Sequence, residues 1–287
     1  MSDALIDIFG DYFEILPAED QSLKEEIYRL RFEVYCREKS IKGFDPANYP
    51  DEMESDEYDR RSVQSLLRHR RSGVAAGTVR IILPDRDDPQ ALLPLERYCI
   101  QGFYREFVEQ LPSREHLGEI SRLILAPRFR SRHGEFEQPH GVVEPISLWP
   151  YEDDRRKPRS EELALGRRTG ADRRLSPHPI LGLFAAVVRM SVQQKLQYWY
   201  AGMEPSCARF LKRFGFDFIP ITPLIDYYGP CRGYFGEVVS ILSCIYHRHP
   251  SVWDLFTDEG KFLPMSETPQ AIEELSTCHP DLRNRER

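Results

Sequence analysis

One strand-like segment of this chain carries ionisable side chains. Residues 117–125, LGEISRLIL, have the length and apolar content of a buried strand, yet they include Glu119 and Arg122. Burial disfavours the charged form of a carboxyl group and raises its pKa toward neutral pH, where it can accept a proton from a reacting group. Glu119 is therefore a candidate general base. The same pattern also fits a structural role in which Glu119 neutralises a neighbouring arginine.

Alternation along this strand predicts two faces, because successive side chains of a strand point to opposite sides of the sheet. Arg122 is then expected to lie on the face away from Glu119, which favours a structural role for this arginine. The face of the candidate base is predicted to hold Glu119, Ser121, Leu123 and Leu125.

A second cation lies on the buried side of a predicted helix. Ser22-Leu23-Lys24-Glu25 forms a capping box, and apolar residues at helical spacing follow it, so we expect a helix over about 22–38. Arg31 falls on or beside the apolar face. A buried guanidinium without a partner costs about 3–5 kcal/mol, so Arg31 needs a carboxylate from elsewhere in the chain.

Two candidate acids and a third arginine follow. Residues 51–59, DEMESDEYD, include Asp56 and Asp59, although a solvated acidic loop explains this run equally well. The runs SVQSLLRH and VAAGTVRIILP, joined by the polar turn RRSG, predict a β-hairpin. Arg80 then shares one face with Thr78 and Ile82. Gly77 within the second strand indicates a bulge or a close backbone approach.

The second half of the chain alternates helical and extended patterns. We predict a helix over 179–196, a strand over YWYAGM, a helix over PSCARFLKRFGF that ends at Gly215, and a late strand over GEVVSIL. Together with the early strands, this order predicts an α/β (α+β) sandwich around one mixed sheet.

Composition excludes several classes of protein. The chain has 287 residues, 41% hydrophobic and 30% charged, and no apolar run of about 18 residues that could span a membrane. Its start, MSDALIDIFGDYFEIL, lacks the basic region of a signal peptide, so we expect a cytoplasmic protein. A net charge of −7 argues against a nucleic-acid partner. The six scattered cysteines predict reduced thiols, and the histidines show no metal-binding spacing.

Periodicity is lost over 131–177, which predicts a long polar insertion in a single domain spanning 1–250. A helix and a polar tail are expected over 251–287. Within the insertion, the arginine-rich run 155–174 fits either a solvated loop or a docking patch for an acidic partner.

Four short motifs then occur in a recognisable order. They are Leu30-Arg31 with Tyr35, Asp56-Glu57-Tyr58-Asp59, Gly77-Thr78-Val79-Arg80-Ile81 and Glu119-Ile120-Ser121-Arg122. In this order the chain resembles the GNAT acyltransferase superfamily, in the branch of acyl-homoserine-lactone synthases and long-chain N-acyl amino acid synthases. Including YYGPCRGYFGE at 227–237, it is most similar to the PEP-CTERM/exosortase system-associated acyltransferases, which would imply a role in surface polymer or sorting systems.

The resemblance implies a GNAT fold, with a central, mixed, mostly antiparallel sheet and helices on both faces. It implies transfer of an acyl group to the amine of an amino acid or related small molecule, with Glu119 as the base and Asp56 or Asp59 as alternative acids. Arg31 and Arg80 would order the acidic loop or clamp a carboxylate of the acceptor. Ser121 would position the acceptor, although a satisfied strand hydroxyl is the commoner case.

The acyl chain and its carrier would contact two further groups of residues. Ordinary packing in the apolar core explains the residues predicted to contact the acyl chain equally well. Predicted substrate contacts are Tyr35, Arg122, Leu123, Leu125, Phe184, Tyr198 and Tyr200. Predicted phosphopantetheine contacts are Ala126, Arg128, Arg130 and Arg132.

Residues 126–134 resemble only the opening half of the GNAT pyrophosphate loop, because the insertion follows where the second glycine and helix would stand. This favours a donor presented on acyl carrier protein over free acyl-coenzyme A. No permanently bound cofactor and no metal are expected.

Two other functions remain open. A lactone-forming autoinducer synthase would need S-adenosylmethionine, but the tryptophan that such synthases have after their first helix has no counterpart in Cys36–Phe44. A non-catalytic sensor of acyl chains would have no need for the full set of arginines and acids. N-acylation of an amino acid is therefore favoured.

Overall fold

The computed structural model describes residues 4–38, 41, 43–99, 102–109, 111–130, 177–226 and 229–263. The basic run 155–174, Arg132, nearly all of the predicted insertion and the tail from residue 264 lie outside these described residues. The predictions made for them are not tested by the structure.

The described chain has eight α-helices and eight β-strands. Its helices are α1 (Leu5–Tyr12), α2 (Gln21–Phe32), α3 (Pro94–Cys99), α4 (Arg105–Val108), α5 (Ile180–Gln193), α6 (Pro205–Lys212), α7 (Val238–Arg248) and α8 (Pro250–Thr257). Its strands are β1 (Phe13–Pro17), β2 (Ser62–His69), β3 (Val74–Ile82), β4 (Leu117–Leu125), β5 (Tyr198–Met203), β6 (Ile219–Pro220), β7 (Ile225–Asp226) and β8 (Pro230–Glu237).

All eight strands belong to one sheet, in the order β1-β2-β3-β4-β5-β8-β6, with β7 pairing with β8. Only β4 and β5 run parallel, and the other pairings are antiparallel. This confirms the predicted mixed, mostly antiparallel sheet and the predicted hairpin of β2 and β3. The parallel pairing covers Leu117–Ile120 and Tyr198–Ala201 and does not extend to the ends of β4 and β5.

Helices cover both faces of the sheet. On one face α5 crosses β1 to β4 and packs against α8, which also contacts α1 and α7. This face holds the main apolar core, including Val79 and Ile81 of β3. On the other face α2 lies on β2 and β3, and α3 contacts β5. Ile82 lies in a smaller apolar cluster on that side, as alternation along β3 predicted.

The first sheet-covering helix differs slightly from its prediction. Its N-cap is Asp20, whose carboxylate accepts a hydrogen bond of 2.8 Å from the Leu23 N–H, so the helix begins two residues before Leu23 and not after a cap at Ser22. At its other end the α-helix widens into a π-helical turn over Glu33–Glu38. Such turns occur frequently at functional sites.

The predicted late strand over GEVVSIL is wrong. Strand β8 ends at Glu237 and helix α7 begins at Val238. Val238, Ile241, Leu242 and Ile245 are buried, a spacing of three to four residues that marks a helix face. The β-branched residues at the start of this run obscured its helical period.

The described residues lack several features that would indicate other functions. No described helix is long and apolar enough to cross a membrane. Within the same ranges no group of three or more histidine, cysteine or acidic side chains is arranged to hold a metal ion. The five described cysteines are free thiols.

Gly77 allows the two central strands to approach closely. A Cβ atom at this position would lie 2.6 Å from the Ile124 carbonyl oxygen and 2.9 Å from a Leu125 methyl carbon. The Ile124 oxygen is backbone and cannot move without disturbing the pairing of β3 and β4. The prediction of a close backbone approach at Gly77 is therefore confirmed.

We expect Gly77→Ala to destabilise the protein by about 1–3 kcal/mol, because the added methyl overlaps a fixed backbone atom. Urea unfolding followed by circular dichroism measures the change. Gly10→Ala is the matched control: a Cβ on Gly10 meets nothing within 4 Å, and this helical position should gain stability from alanine. A Gly77→Ala protein as stable as the control would show that the strands are not in contact there.

Candidate active site

Three buried arginines meet three carboxylates on the α2 face of the sheet. Arg31 comes from α2, Arg80 from β3 and Arg122 from β4, so one cluster joins three elements distant in sequence. Arg31 has an exposed fraction of 0% and Arg80 of 1%. We refer to the following set as the charge cluster: Arg31, Glu54, Asp56, Asp59, Arg80 and Arg122.

Arg31 finds the carboxylate partner that the sequence required. Its Nε donates to Glu54, and its two terminal nitrogens donate to the two oxygens of Asp59 at 2.8 and 3.1 Å. One of them also donates to Gln64 Oε1 at 3.3 Å. Such bidentate, charge-assisted pairs are among the strongest hydrogen bonds in proteins.

Arg80 forms hydrogen bonds with two carboxylates of the acidic loop, residues 51–59. The terminal nitrogens of Arg80 donate to both oxygens of Asp56, at 2.6 and 2.9 Å, and one of them also donates to Asp59 at 2.8 Å. Its Nε donates to Ser121 Oγ at 2.9 Å, so this hydroxyl accepts a hydrogen bond within the sheet. Asp56 and Asp59 also form a capping box for the short 3₁₀ turn Glu57–Arg61.

The structure overturns the predicted position of Arg122. Arg122 has φ +51°, and the pairing of β3 with β4 shifts register beside it, between Thr78 and Arg80. This bulge breaks the alternation, so Arg122 points to the charge cluster and donates to Glu54 at 2.9 and 3.2 Å and to Asp56 at 2.9 Å. Leu125 turns the other way into the main core and does not share the face of Glu119.

Two aromatic rings pack against the guanidinium group of Arg122. Its guanidinium carbon lies 5.5 Å from the ring centre of Tyr35 and 5.0 Å from that of Phe44, and the two rings stack at 4.7 Å. Tyr35 belongs to the π-helical turn. The turn therefore places an aromatic wall against the charge cluster.

Burial and charge act in opposite directions on the acids of the charge cluster. Burial alone would raise the pKa of Glu54, but the charges of Arg31 and Arg122 lower it to about 2. Asp59 is likewise buried, and Arg31 and Arg80 lower its pKa to about 2. With a pKa this low, and with their oxygens bound to arginines, these ionised carboxylates hold a proton too weakly to act as general bases at neutral pH.

Glu54 was missed by the sequence analysis. It lies in the acidic run 51–59, whose composition also fits a solvated loop, yet its exposed fraction is 0%. The need of Arg31 for a partner was the only available signal, and it did not single out one acid among several. The loop interpretation is wrong for Glu54 and Asp59, both of which lie inside the charge cluster.

The charge cluster does not contact the predicted acceptor through Arg31 or Arg80. Both side chains are buried among their carboxylates, and neither lines the cavity described next. The predicted clamp on an acceptor carboxylate is therefore wrong for these two arginines. Ordering of the acidic loop, the alternative role, is what their hydrogen bonds do.

A cavity opens where β4 and β5 separate. The parallel pairing stops at Ile120 and Ala201, and beyond these residues the strands diverge. The cavity between them has a volume of about 170 Å³ and a mostly apolar lining, which also includes the charged residues Glu119, Arg122 and Glu204. Its apolar lining includes Ile41, Phe44, Ile120, Leu123, Ile180, Phe184, Ala201, Met203, Phe210, Leu211 and Phe218.

Glu119 lines this cavity from β4, next to the last residue of β4 that pairs with β5. Only 3% of the residue is exposed, and one carboxylate oxygen accepts a hydrogen bond of 2.8 Å from the Leu95 N–H at the start of α3. Burial raises the pKa of Glu119 to about 8, although this hydrogen bond and the charge of Arg80 act in the opposite direction. Glu119 therefore has the protonation behaviour expected of a base near neutral pH.

The predicted substrate contacts divide into two groups. Tyr35, Arg122, Leu123 and Phe184 line the cavity together with Glu119 and Ser121. Tyr198 and Tyr200 do not: both belong to the smaller apolar cluster, against Phe107 and Phe235. Their placement along an acyl tunnel is wrong because odd and even residues of β5 face opposite sides, and the tunnel side holds Ala201.

Two of the predicted phosphopantetheine contacts form hydrogen bonds within the protein. The Ala126 N–H donates to the Ala76 carbonyl at 2.9 Å. Arg130 donates to the Leu125 carbonyl and to Glu38, each at 2.7 Å. Arg128 is exposed and lies over the ring of Phe129. Of the described members of this group, Arg128 alone is an exposed cation, and contact of the group with phosphopantetheine stays a prediction.

Comparisons with known proteins agree with this architecture. Residues 30–136 match the family model of the acetyltransferase (GNAT) domain. A search of curated proteins finds no significant match. Two solved structures share the fold. The first is TofI in a ternary complex with an inhibitor and MTA, at 14% sequence identity and a TM-score of 0.51, and the match covers 84% of this chain and 99% of TofI. The second is BjaI, a CoA-dependent acyl-homoserine lactone synthase with SAM and isopentyl-CoA, at 16% identity and a TM-score of 0.50, and the match covers 93% of this chain and 99% of BjaI.

FeeM, an N-acyl amino acid synthase from uncultured soil microbes, is similar at 14% identity and a TM-score of 0.44, covering 82% of this chain and 96% of that one. The match at residues 30–136 and the likeness to TofI and BjaI assign the GNAT fold to the described sheet and helices.

We expect Glu54→Gln to destabilise the protein by about 3–5 kcal/mol at pH 7, because the change leaves two buried guanidinium groups without a full partner. The folded pKa of Glu54, about 2, lies below its unfolded value of 4.5, so the stability it contributes is present above pH 4.5 and is lost as the pH falls toward 2. Urea unfolding measured from pH 7 to pH 3 should show that the difference in free energy of unfolding between the wild type and the variant shrinks as the pH falls. A constant gap would contradict the ion-pair origin.

Glu119→Gln should have the opposite effect. The folded pKa of Glu119, about 8, lies above its unfolded value of 4.5, so its contribution is present below pH 4.5 and is lost as the pH rises through 8. The glutamine variant should therefore be more stable than the wild type, by an amount that grows between pH 5 and pH 8 to the order of a few kcal/mol. A variant that is less stable at pH 8 would show that Glu119 is held by a cation.

Proposed function

We propose that this protein is an N-acyltransferase that moves a long-chain acyl group from a carrier thioester to the amine of an amino acid or related small molecule. The observation that carries the proposal is the position of Glu119. A buried carboxylate with a pKa of about 8 faces an apolar cavity at the point where the parallel strands separate.

The separated strands provide the place for the reacting carbonyl. Beyond Ile120 the edge of β4 that faces β5 has no strand partner. Backbone N–H groups along this edge can donate to the thioester oxygen as negative charge develops on it. The bulge at Arg122 brings that edge beside the aromatic wall of Tyr35 and Phe44.

Glu119 supplies the base. The incoming amine must be neutral to attack the thioester carbonyl, and Glu119 accepts the proton that the amine loses. The C–N bond then forms, the C–S bond breaks, and the thiolate leaves with its carrier. The amine nitrogen becomes acidic as the C–N bond forms, and Glu119, with a pKa near 8, is a strong enough base to accept the one proton that it then releases.

The shape of the cavity supports an acyl substrate. The side of the cavity that lies toward α5 and α6 is built from aliphatic and aromatic side chains such as Phe184, Phe210 and Leu211. Apolar surface of this kind binds hydrocarbon chains and excludes water from the reacting centre. Residues of α6 would contact the part of the chain farthest from Glu119.

A covalent acyl-cysteine route is disfavoured. Cys207 lines the cavity, but burial raises the pKa of its thiol to about 12. Only the thiolate is an effective nucleophile, so Cys207 stays unreactive at neutral pH. Direct attack of the amine on the thioester is the simpler reaction for this site.

The donor is proposed to be acyl carrier protein or acyl-coenzyme A. The exposed Arg128 near the cavity-side end of β4 suits a phosphate group, and the arginine-rich run 155–174 suits an acidic carrier protein. Membership in an exosortase-associated group stays a prediction from the sequence.

We expect Glu119→Gln to lower acyl transfer at least about tenfold at pH 7, since the amide cannot accept the proton. For the wild type, kcat/KM should rise with pH and level off above about 8, the pKa of Glu119. The assay is release of free thiol from palmitoyl-coenzyme A with a mixture of amino acids, with the products identified by mass spectrometry.

A Glu19→Gln variant, at an exposed position, serves as the control and should keep wild-type turnover. Equal turnover in Glu119→Gln and wild type would remove Glu119 from the base role. Release of methylthioadenosine when S-adenosylmethionine is added would identify a lactone-forming synthase instead. Binding of the acyl donor without any product would indicate a sensor.

Ala201→Leu should shift the preference toward shorter acyl chains. Ala201 lines the cavity on β5 at the last paired position, and three added carbon atoms would narrow the channel there. The ratio of kcat/KM for palmitoyl-coenzyme A to that for butyryl-coenzyme A should fall about tenfold or more. An unchanged ratio would place the acyl chain outside this cavity.

A further inference from the structure

A backbone hydrogen bond from the start of α3 holds the carboxylate of Glu119. One oxygen of this carboxylate accepts from the Leu95 N–H at 2.8 Å. Arg80 of the charge cluster, whose charge also acts on Glu119, donates its own hydrogen bonds to Ser121 and to the acidic loop. Leu95 follows directly after the connection from β3, residues 83–93, which we call the β3–α3 loop. The orientation of Glu119 therefore depends on where this loop places Leu95.

Arg61 joins the two ends of the β3–α3 loop. Its Nη1 donates to the Leu83 carbonyl at 3.2 Å, and its Nη2 donates to the Leu92 carbonyl at 2.7 Å. The Leu83 N–H donates in turn to the Arg61 carbonyl at 2.9 Å. Because the guanidinium group is planar and rigid, these bonds fix the start of the loop relative to its end. The end of the loop leads directly into Leu95.

The side chain of Arg61 is itself held in place. It is half-buried, and its guanidinium carbon lies 5.4 Å from the ring centre of Tyr58. Tyr58 packs against the smaller apolar cluster, which includes Leu93 and Leu95. Arg61 therefore presents its N–H groups to the loop carbonyls in one fixed direction, which the single ammonium group of a lysine does not reproduce.

Glu96 and Arg114 fix the same stretch of backbone from α3. The Leu93 N–H donates to one oxygen of Glu96 at 3.0 Å, and Glu96 is only 1% exposed. Arg114 Nη2 lies 3.1 Å from the other oxygen of Glu96, and Arg114 Nη1 donates to the Gln90 carbonyl at 3.2 Å. With the two bonds of Arg61, these contacts restrain the backbone that immediately precedes Leu95.

We propose that Arg61 is a positioning residue for the base: it holds the β3–α3 loop so that the Leu95 N–H stays on one oxygen of Glu119 and leaves the other oxygen to the substrate. This inference rests on the proposed function, in which Glu119 accepts the proton that the amine releases. Arg61 does not line the cavity, so it acts on the reaction only through Glu119.

Arg61 acts on Glu119 by its charge as well as through the loop. The Leu95 hydrogen bond and the charges of Arg80 and Arg61 lower the pKa of Glu119, whereas the charge of Glu96 raises it. The other titratable groups that face Glu119 are Cys99 of α3 and Tyr200 of β5. Arg61→Lys separates the two effects of Arg61, because the substitution keeps the positive charge and loses the planar group that binds both carbonyls.

The titration of Glu119 tests the proposal without any turnover. Infrared difference spectra of the carboxyl stretch, assigned with Glu119→Gln, measure its midpoint. Arg61→Lys should raise the midpoint by about one pH unit, because the Leu95 hydrogen bond favours the ionised form of Glu119. Arg61→Met should raise it further, because the charge is lost too. Both variants keep the aliphatic stem of Arg61 and should give the wild-type circular dichroism spectrum.

Arg60→Met is the matched control. Arg60 precedes Arg61 in the chain, 76% of its side chain is exposed, and it lies 4.0 Å from Asp85. Such an exposed pair contributes little, so the midpoint of Glu119 should stay at the wild-type pH. A wild-type midpoint in Arg61→Lys would show that Arg61 does not act through the loop, and would overturn the proposal.

The pH profile of turnover distinguishes positioning from general damage. At pH 7, below the midpoint, Arg61→Lys should lower kcat/KM for the amine about tenfold, because the ionised fraction of Glu119 falls tenfold with each unit of its pKa. The KM for palmitoyl-coenzyme A should not change, and the profile should level off at a higher pH than in the wild type. A loss of equal size at every pH would indicate a structural role and overturn the proposal. A wild type that transfers no acyl group would instead refute the proposed function, while the infrared midpoints would still report whether Arg61 positions Glu119.

Discussion

The ion pairs of the charge cluster are the constraint on which this structure depends. Three guanidinium groups meet three carboxylates, with Arg31, Arg80 and Glu54 fully buried. Each arginine binds at least one carboxylate through two hydrogen bonds. Opening any one pair leaves a buried charge uncompensated, at a cost of about 3–5 kcal/mol. The cluster therefore forms as a unit, and it brings α2, the acidic loop, β3 and β4 into a single arrangement.

The charge cluster also explains how one face of a sheet can hold acids of opposite behaviour. Glu54 lies among arginines and has a pKa of about 2, whereas Glu119 lies among apolar side chains and has a pKa of about 8. Because the cluster neutralises itself, Arg80 stays bound to Asp56 and Asp59 and does not pair with Glu119. Environments that separate the pKa values of neighbouring acids are typical of acid–base sites. Burying Glu119 costs stability, but the same burial raises its pKa to the range that its proposed role as the base requires.

Sequence patterns predicted the parts of this protein that depend on local periodicity. The β2–β3 hairpin, helix α5 and the need of Arg31 for a carboxylate all follow from spacing and burial. Arg122 was misplaced because a non-glycine residue at φ +51° breaks alternation, and nothing in LGEISRLIL signals that bulge. Glu54 was missed because tertiary contacts choose among several acids of one loop. Tyr198 and Tyr200 were misplaced because their apolar character does not tell which face of β5 meets the cavity.

The central claim is that this chain joins an acyl group to an amine with Glu119 as the base. Mass spectrometry of lipid extracts from a bacterial host that expresses the protein, beside the same host with Glu119→Gln, tests it most directly. The account predicts new N-acyl amino acids with the wild-type protein and at least about tenfold less of them with the variant. No new N-acylated product with the wild-type protein, or equal amounts with both, would contradict it.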